Sequence, residues 1–70
     1  MCKFKYFFLN GQQYRTTYNL TILELIQYFN FNTSLFVLEY NNQICNKKKW
    51  NNIFVDNNDK IEIVTIVGGG

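Results

Sequence analysis

An α+β roll, with one main helix packed on one face of a mixed sheet of four to five strands, is the architecture this sequence predicts. Three observations carry it. An Asn10-Gly11 dipeptide separates two β-prone runs, a capping signal at Thr21 opens one amphipathic segment, and a closing β-prone stretch from Ile61 runs into Gly68-Gly69-Gly70. A chain of 70 residues makes one domain, and at that size only roughly 60% of the unfolded surface is buried. There is room for a small core and little for a deep catalytic cleft. Apolar residues at 47% of the chain, with 19% aromatic, suffice for that core and exclude a disordered composition.

The elements follow in chain order. Phe4 to Leu9 is apolar, aromatic and β-prone, and Gln12 to Thr17 resumes after Asn10-Gly11. Asn-Gly between two such runs signals a hairpin, because both central residues of a type I′ turn need positive φ. Alternation puts Phe7 and Leu9 on one face of the first strand and Tyr6 and Phe8 on the other. Thr21-Ile22-Leu23-Glu24 reads as a capping box, Thr21 being the N-cap and Glu24 reaching back to it. Ile22, Leu25, Ile26 and Phe29 then form one apolar stripe, which Asn30-Phe31-Asn32 ends. A helix with a single apolar face must lie on something flat, and the hairpin supplies it.

Leu35 to Tyr40 is the third strand, with Phe36, Leu38 and Tyr40 on one face and Val37 and Glu39 on the other. Asn41-Asn42 turns the chain, Ile44 points back into the core, and Asn46 to Trp50 makes an irregular or one-turn helical crossing. Trp50 is expected to cover the edge of the core, as large rings do in small domains. Ile53 to Val55 is a short strand, Asp56 to Asp59 a turn, and Ile61 to Val67 the last strand. Ile61 and Ile63 face the helix, which leaves Val64 and Ile66 apolar on the side where water is expected. The order β-β-α-β-β-β, one helix against a mixed sheet, describes a β-grasp or ubiquitin-like roll. Its first and last strands run parallel at the sheet centre, so Tyr6 and Phe8 are expected near Val64 and Ile66. An uncovered apolar cluster of that kind marks a partner surface. Residues 1–67 form the domain and 68–70 a flexible tail.

Several functions are excluded on composition. A net charge of +2 with one short basic run, Lys47-Lys48-Lys49, reads as a solvated turn and not a nucleic-acid face. No apolar stretch is long enough to span a membrane, and the run after Lys5 is too short for a signal peptide. Cys2 and Cys45 have no CxxC spacing, and histidine is absent, so no metal site and no usual general base is expected. Two unpaired thiols agree with a reducing compartment. Ala and Pro are missing while Asn, Lys, Ile, Phe and Tyr abound, a bias toward AT-rich codons that suits an organellar or low-GC bacterial genome.

Three closing glycines taken alone fit a bare stub as well as a working group. Chemistry sharpens the second reading. A terminal carboxylate is ionised at neutral pH, its pKa being about 3.5, and is a poor electrophile. Activation as a mixed anhydride with AMP makes it reactive, and glycine lets the backbone enter a narrow channel without a Cβ clash. Replacement of the adenylate by sulfide then gives a nucleophilic thiocarboxylate, which no standard side chain provides.

Asn10-Gly11-Gln12, Thr21 to Ile26, Val37 to Asn41, Ile44, Lys49-Trp50, and above all Asp59-Lys60-Ile61-Glu62-Ile63-Val64 running through Ile66-Val67 into Gly68-Gly69-Gly70, carry a resemblance over about Tyr6 to Gly70. The chain resembles the ThiS family of sulfur carrier proteins of thiamine biosynthesis. Two departures are visible: a few extra residues at the amino end, and Asn58 where the family often has glycine. Asn tolerates the left-handed region next best, so the turn is expected to survive.

The resemblance implies a carrier and not an enzyme. It implies that Gly70 is adenylated by a ThiF-type adenylyltransferase using ATP, with no cofactor bound to the carrier itself. Sulfur drawn from cysteine through a desulfurase makes the thiocarboxylate, and the thiazole synthase ThiG consumes it. Gly69 and Gly70 match the functional tail, with Gly68 before them, while Phe8, Val64 and Ile66 are expected to dock the partners. An algal plastid stroma is the expected location, with a bacterial cytoplasm as the alternative. A molybdopterin-synthase small subunit shares the fold and the tail chemistry, and a ubiquitin-like modifier shares the fold. The short length and the Asp-x-Ile-Glu-Ile-Val approach to the tail favour the thiamine branch.

Overall fold

The computed structural model describes residues 3–31 and 36–65. Cys2, Asn32, Leu35, Ile66, Val67 and the three closing glycines, to which expectations above attach, lie outside the described residues.

The elements are β1 (Lys5–Leu9), β2 (Gln12–Thr16), α1 (Ile22–Phe29), β3 (Phe36–Tyr40), β4 (Gln43–Cys45), a 3-10 turn (Lys47–Lys49) and β5 (Lys60–Thr65). The five strands form one sheet in the order β2-β1-β5-β3-β4. β1 and β5 are parallel at the centre and every other pairing is antiparallel. The hairpin turns where Asn10 and Gly11 adopt φ of 52° and 80°, the positive pair that a type I′ turn requires.

Helix α1 begins as the capping box dictates. Thr21 Oγ1 accepts from the Glu24 amide at 3.1 Å, and the Thr21 amide donates to Glu24 Oε1 at 2.9 Å. A helix start leaves further amides without partners. Here Ile22 donates to the Ile53 carbonyl and Leu23 to the Trp50 carbonyl, at 2.9 and 3.0 Å. The helix closes at Asn30 in the left-handed region, φ 58°, a conformation that asparagine accepts at low cost.

Between α1 and the sheet lie Phe7, Leu9, Ile22, Leu25, Ile26, Phe36, Leu38, Trp50, Val55 and Ile61. A row of rings from Tyr14 through Phe29, Phe31 and Phe36 to Trp50 fills one side, with neighbouring centroids 5.3 to 6.0 Å apart. Trp50 lies inside this core and does not merely cover its edge. Only 2% of it is exposed, it stacks on Phe36, and its indole N–H donates to the Cys45 carbonyl at 3.2 Å.

Two further expectations fail. Ile44 does not point into the core: it is 74% exposed, because β4 pairs it with Glu39 on the uncovered face. Ile53 to Val55 is not a strand. The segment contributes one isolated bridge, Thr21 to Phe54, and spends its remaining backbone on the helix start and on Leu20, which accepts from the Val55 amide at 2.7 Å.

Candidate functional site

Strand β5 positions whatever follows it, and three connections hold that strand at its start. Asp59, buried between them, accepts from the Tyr40 hydroxyl at 2.7 Å, from Asn41 Nδ2 at 3.1 Å and from the Asp56 amide at 2.7 Å. Asn41 Oδ1 in turn accepts from the Lys60 amide at 2.8 Å. Burial first, then the hydrogen bond to Asp59 and the carboxylate's charge, push the Tyr40 hydroxyl up to a pKa of about 12. Asn58 holds the turn at φ 69°, so asparagine does serve where a left-handed residue is needed. Its amide donates to the Tyr6 carbonyl at 2.6 Å, and Phe8 donates to Asp59 at 2.8 Å, which fastens β1 beside the turn.

The uncovered face of the sheet is set by register. Val37 stands opposite Val64, Glu39 opposite Glu62, Ile44 beside Glu39, and Phe8 beside Lys60. Val64 is 43% exposed. Phe8 is half-buried and shares the face with Val64, but it pairs four residues earlier on β5, about 13 Å away along the strand at ~3.3 Å per residue. Tyr6 pairs with Arg15 further still from Val64. The expected adjacency of Tyr6 and Phe8 to Val64 is therefore absent: the parallel pairing spans only Phe8 and Leu9. The residue paired with Val64 across the strands is Val37. Sequence reasoning put Val37 and Glu39 on this face without giving them a role, because their partners depend on cross-strand register. Ile66, Gly68, Gly69 and Gly70 lie outside the described residues.

Other chemistry is sparse. Cys45 is half-buried and its thiol is pushed up by burial, an effect that neighbouring Lys49 partly opposes. A raised thiol holds little thiolate and is a poor nucleophile. Among the described residues no group of His, Cys, Asp and Glu is arranged to hold a metal ion, and no helix is long and apolar enough to cross a membrane. An open groove of about 420 Å³ lies elsewhere, bounded by Phe4, Phe7, Tyr14, Leu25, Tyr28 and Phe29. Arg15, the charged side chain on its rim, rests on the Phe4 ring at 4.5 Å.

Comparison with known proteins agrees with this geometry. The uncharacterized protein ycf40 of the alga Trieres chinensis is 65% identical over 66 residues, covering 94% of this chain and 90% of that protein. Its namesake in Porphyra purpurea is 31% identical over 62 residues, 89% of this chain and 87% of that one. The crystal structure of the thiamine biosynthesis protein ThiS from Geobacter metallireducens superposes with a TM-score of 0.81 over 93% of this chain and 99% of that chain, at 19% identity. That likeness establishes the β-grasp fold, a five-stranded mixed sheet with one main helix. The sequence model of the ThiS family matches residues 7–70, and the chain belongs to the ThiS family.

Proposed function

We propose that this protein carries sulfur on the carboxylate of Gly70 for assembly of the thiazole ring of thiamine. The observation that carries the reading is the family match, which runs through the last strand to Gly70 itself. Family membership supports a sulfur-carrier role in general. In the proposed cycle a Gly70 carboxylate oxygen attacks the α-phosphorus of ATP and pyrophosphate leaves, giving an acyl adenylate. Sulfide sulfur then attacks the carbonyl carbon and AMP departs with the C–O electron pair. The product is a thiocarboxylate. A ThiF-type adenylyltransferase performs the activation, a desulfurase supplies the sulfur, and the thiazole synthase ThiG accepts it. The occurrence of ycf40 relatives in algae supports a plastid setting, with the stroma as the compartment.

The partners are proposed to dock on the uncovered face, at Val64 and Ile66 near the tail with Phe8 further along. Val64→Asp and Ile66→Asp are expected to weaken binding to both enzymes with the melting temperature unchanged. Equal affinity would sink the docking role.

The test of the chemistry is intact mass after incubation with an active ThiF-type adenylyltransferase, ATP and sodium sulfide. One sulfur-for-oxygen exchange, lost on deleting Gly70, is the expected result, and an unchanged mass overturns the reading. Rescue of a thiazole-requiring strain but not of a molybdenum-cofactor mutant assigns the pathway.

A further inference from the structure

Strand β5 is paired unequally on its two sides. β3 accompanies it antiparallel from Ile61 to Thr65. β1 accompanies it only at Lys60 and Ile61, then turns away at Asn10-Gly11 into β2. Because the Asn41 amide donates to the Lys60 carbonyl and Asn41 Oδ1 accepts from Lys60, the even-numbered backbone groups of β5 face β3. The odd-numbered ones face β1. Asn10 confirms the alternation: its amide donates to the Ile61 carbonyl at 2.9 Å, and its Oδ1 accepts from the Ile63 amide at 2.8 Å. That side chain stands in for the backbone acceptor that a longer β1 would have offered.

Beyond Asn10 no described residue continues the line of β1 along β5. The next groups on that side are the Ile63 carbonyl and the Thr65 amide, and among the described residues neither has a partner. Thr65 is exposed and Ile63 half-buried. An unpaired strand edge is a template for an incoming strand. Here the edge is short and sits beside the exposed Val64 and its half-buried partner Val37, three residues before Gly68.

Building on the sulfur-carrier reading above, we propose that this vacated position receives an extended segment of the enzyme that activates the tail. The segment donates to the Ile63 carbonyl, accepts from the Thr65 amide and sets an apolar side chain against Val64. Its function is to fix the register and exit direction of β5 as the chain passes into the activating site. A second copy of this chain is the competing occupant, and magnitude argues against it. Two hydrogen bonds, each worth at most roughly tenfold in affinity, do not hold a dimer. They suffice to set register inside a larger interface.

Amide exchange followed by NMR on the full chain tests this without substitution. The Val64 amide faces β3 and is protected in the free protein. The Thr65 amide is expected to exchange freely alone and to gain roughly tenfold or more protection with saturating ThiF-type adenylyltransferase and ATP. The matched variants are Thr65→Pro and Thr65→Val. Proline removes the amide without touching the β3 ladder and asks only that Val64 stay extended, as it already is. It is expected to weaken enzyme binding about tenfold relative to Thr65→Val. Adenylation of Gly70 with no gain in Thr65 protection overturns this inference and leaves the carrier reading standing. An active enzyme that neither binds nor adenylates the chain overturns both. Protection that rises with the protein's own concentration, without enzyme, assigns the edge to self-association and overturns the partner proposed.

Discussion

The two faces of the sheet obey different rules. On the face under α1, Phe7, Leu9, Phe36, Leu38 and Ile61 are almost wholly buried, and no buried side-chain donor or acceptor in the described structure lacks a partner. On the other face, Val37 and Val64 oppose each other with little over them, Ile44 stands in water, and Glu39 lies directly across from Glu62. Apolar groups left in solvent and like charges placed opposite each other both cost stability. The first face is therefore built for folding. The second keeps arrangements that folding alone does not favour, as the docking role proposed for it would require.

The sharpest way to break this contrast is to damage the buried face. Leu38→Ala removes a side chain with no exposed surface, and truncating a buried leucine costs about 2–5 kcal/mol. Domains of this class hold only ~5–15 kcal/mol in all, so a large fall in the urea midpoint is expected, if the variant folds. Ile44→Ala, on the open face, is expected to change the unfolding free energy by less than about 0.5 kcal/mol in the same titration. Comparable losses at the two positions would mean that the faces are not distinct.

The hub at Asp59 is the next largest effect. Asp59→Ala leaves the Tyr40 hydroxyl, the Asn41 amide and the Asp56 amide without their acceptor, and a buried donor deprived of its partner costs about 1–3 kcal/mol. The hub also makes stability pH-dependent. Tyr40 holds its proton more tightly in the folded state, at about 12 against an ordinary 10. Its contribution is therefore complete below pH 10 and is lost as the pH rises through about 12. Thermal melts between these limits are expected to fall more steeply for the wild type than for Tyr40→Phe. Identical slopes would remove Tyr40 from the account.

Much of this was legible in the residues themselves. Asn10-Gly11, the Thr21–Glu24 capping box and the alternation of Phe7, Leu9, Phe36, Leu38 and Ile61 are local signals, and the structure follows each of them. What local signals do not carry is register. A three-residue strand such as β4 has too few positions for its alternation to declare a face, so Ile44 was misplaced. Ile53 to Val55 has β-prone side chains, but the unfilled donors of α1 and the Leu20 carbonyl take its backbone. Phe8 meets Lys60 and not Val64 because a parallel pairing is positioned by the long crossover between its strands, which no short window contains. The tail glycines show the complementary case: the chemistry proposed for them rests on the sequence and the family match, and they lie outside the described residues.

The capping box gives a smaller and cleaner test of the buried side. Thr21→Ala removes the acceptor of the Glu24 amide and one of the two donors to Glu24 Oε1, the backbone donor remaining, at a cost of about 1 kcal/mol. Thr21→Ser keeps the hydroxyl and is expected to restore most of that loss in the same denaturation series. A serine variant as unstable as the alanine would point to the threonine methyl, in a residue that is itself buried, and away from the cap.

The smallest effect carries the opposite sign. Glu39 and Glu62 face each other across β3 and β5, and like charges so placed destabilise a sheet by ~0.2–1 kcal/mol. Glu62→Gln is therefore expected to stabilise the domain by a few tenths of a kcal/mol in low salt. The gain should shrink toward zero at 1 M salt, where charges more than about 3 Å apart are screened. A substitution that raises stability on one face, beside one that removes a large part of it on the other, is the contrast in its strictest form. A loss on Glu62→Gln that persists in high salt would show instead that Glu62 works in the fold, and the open face would then have to be read as structural in its middle and free only at Val37, Val64 and Ile44.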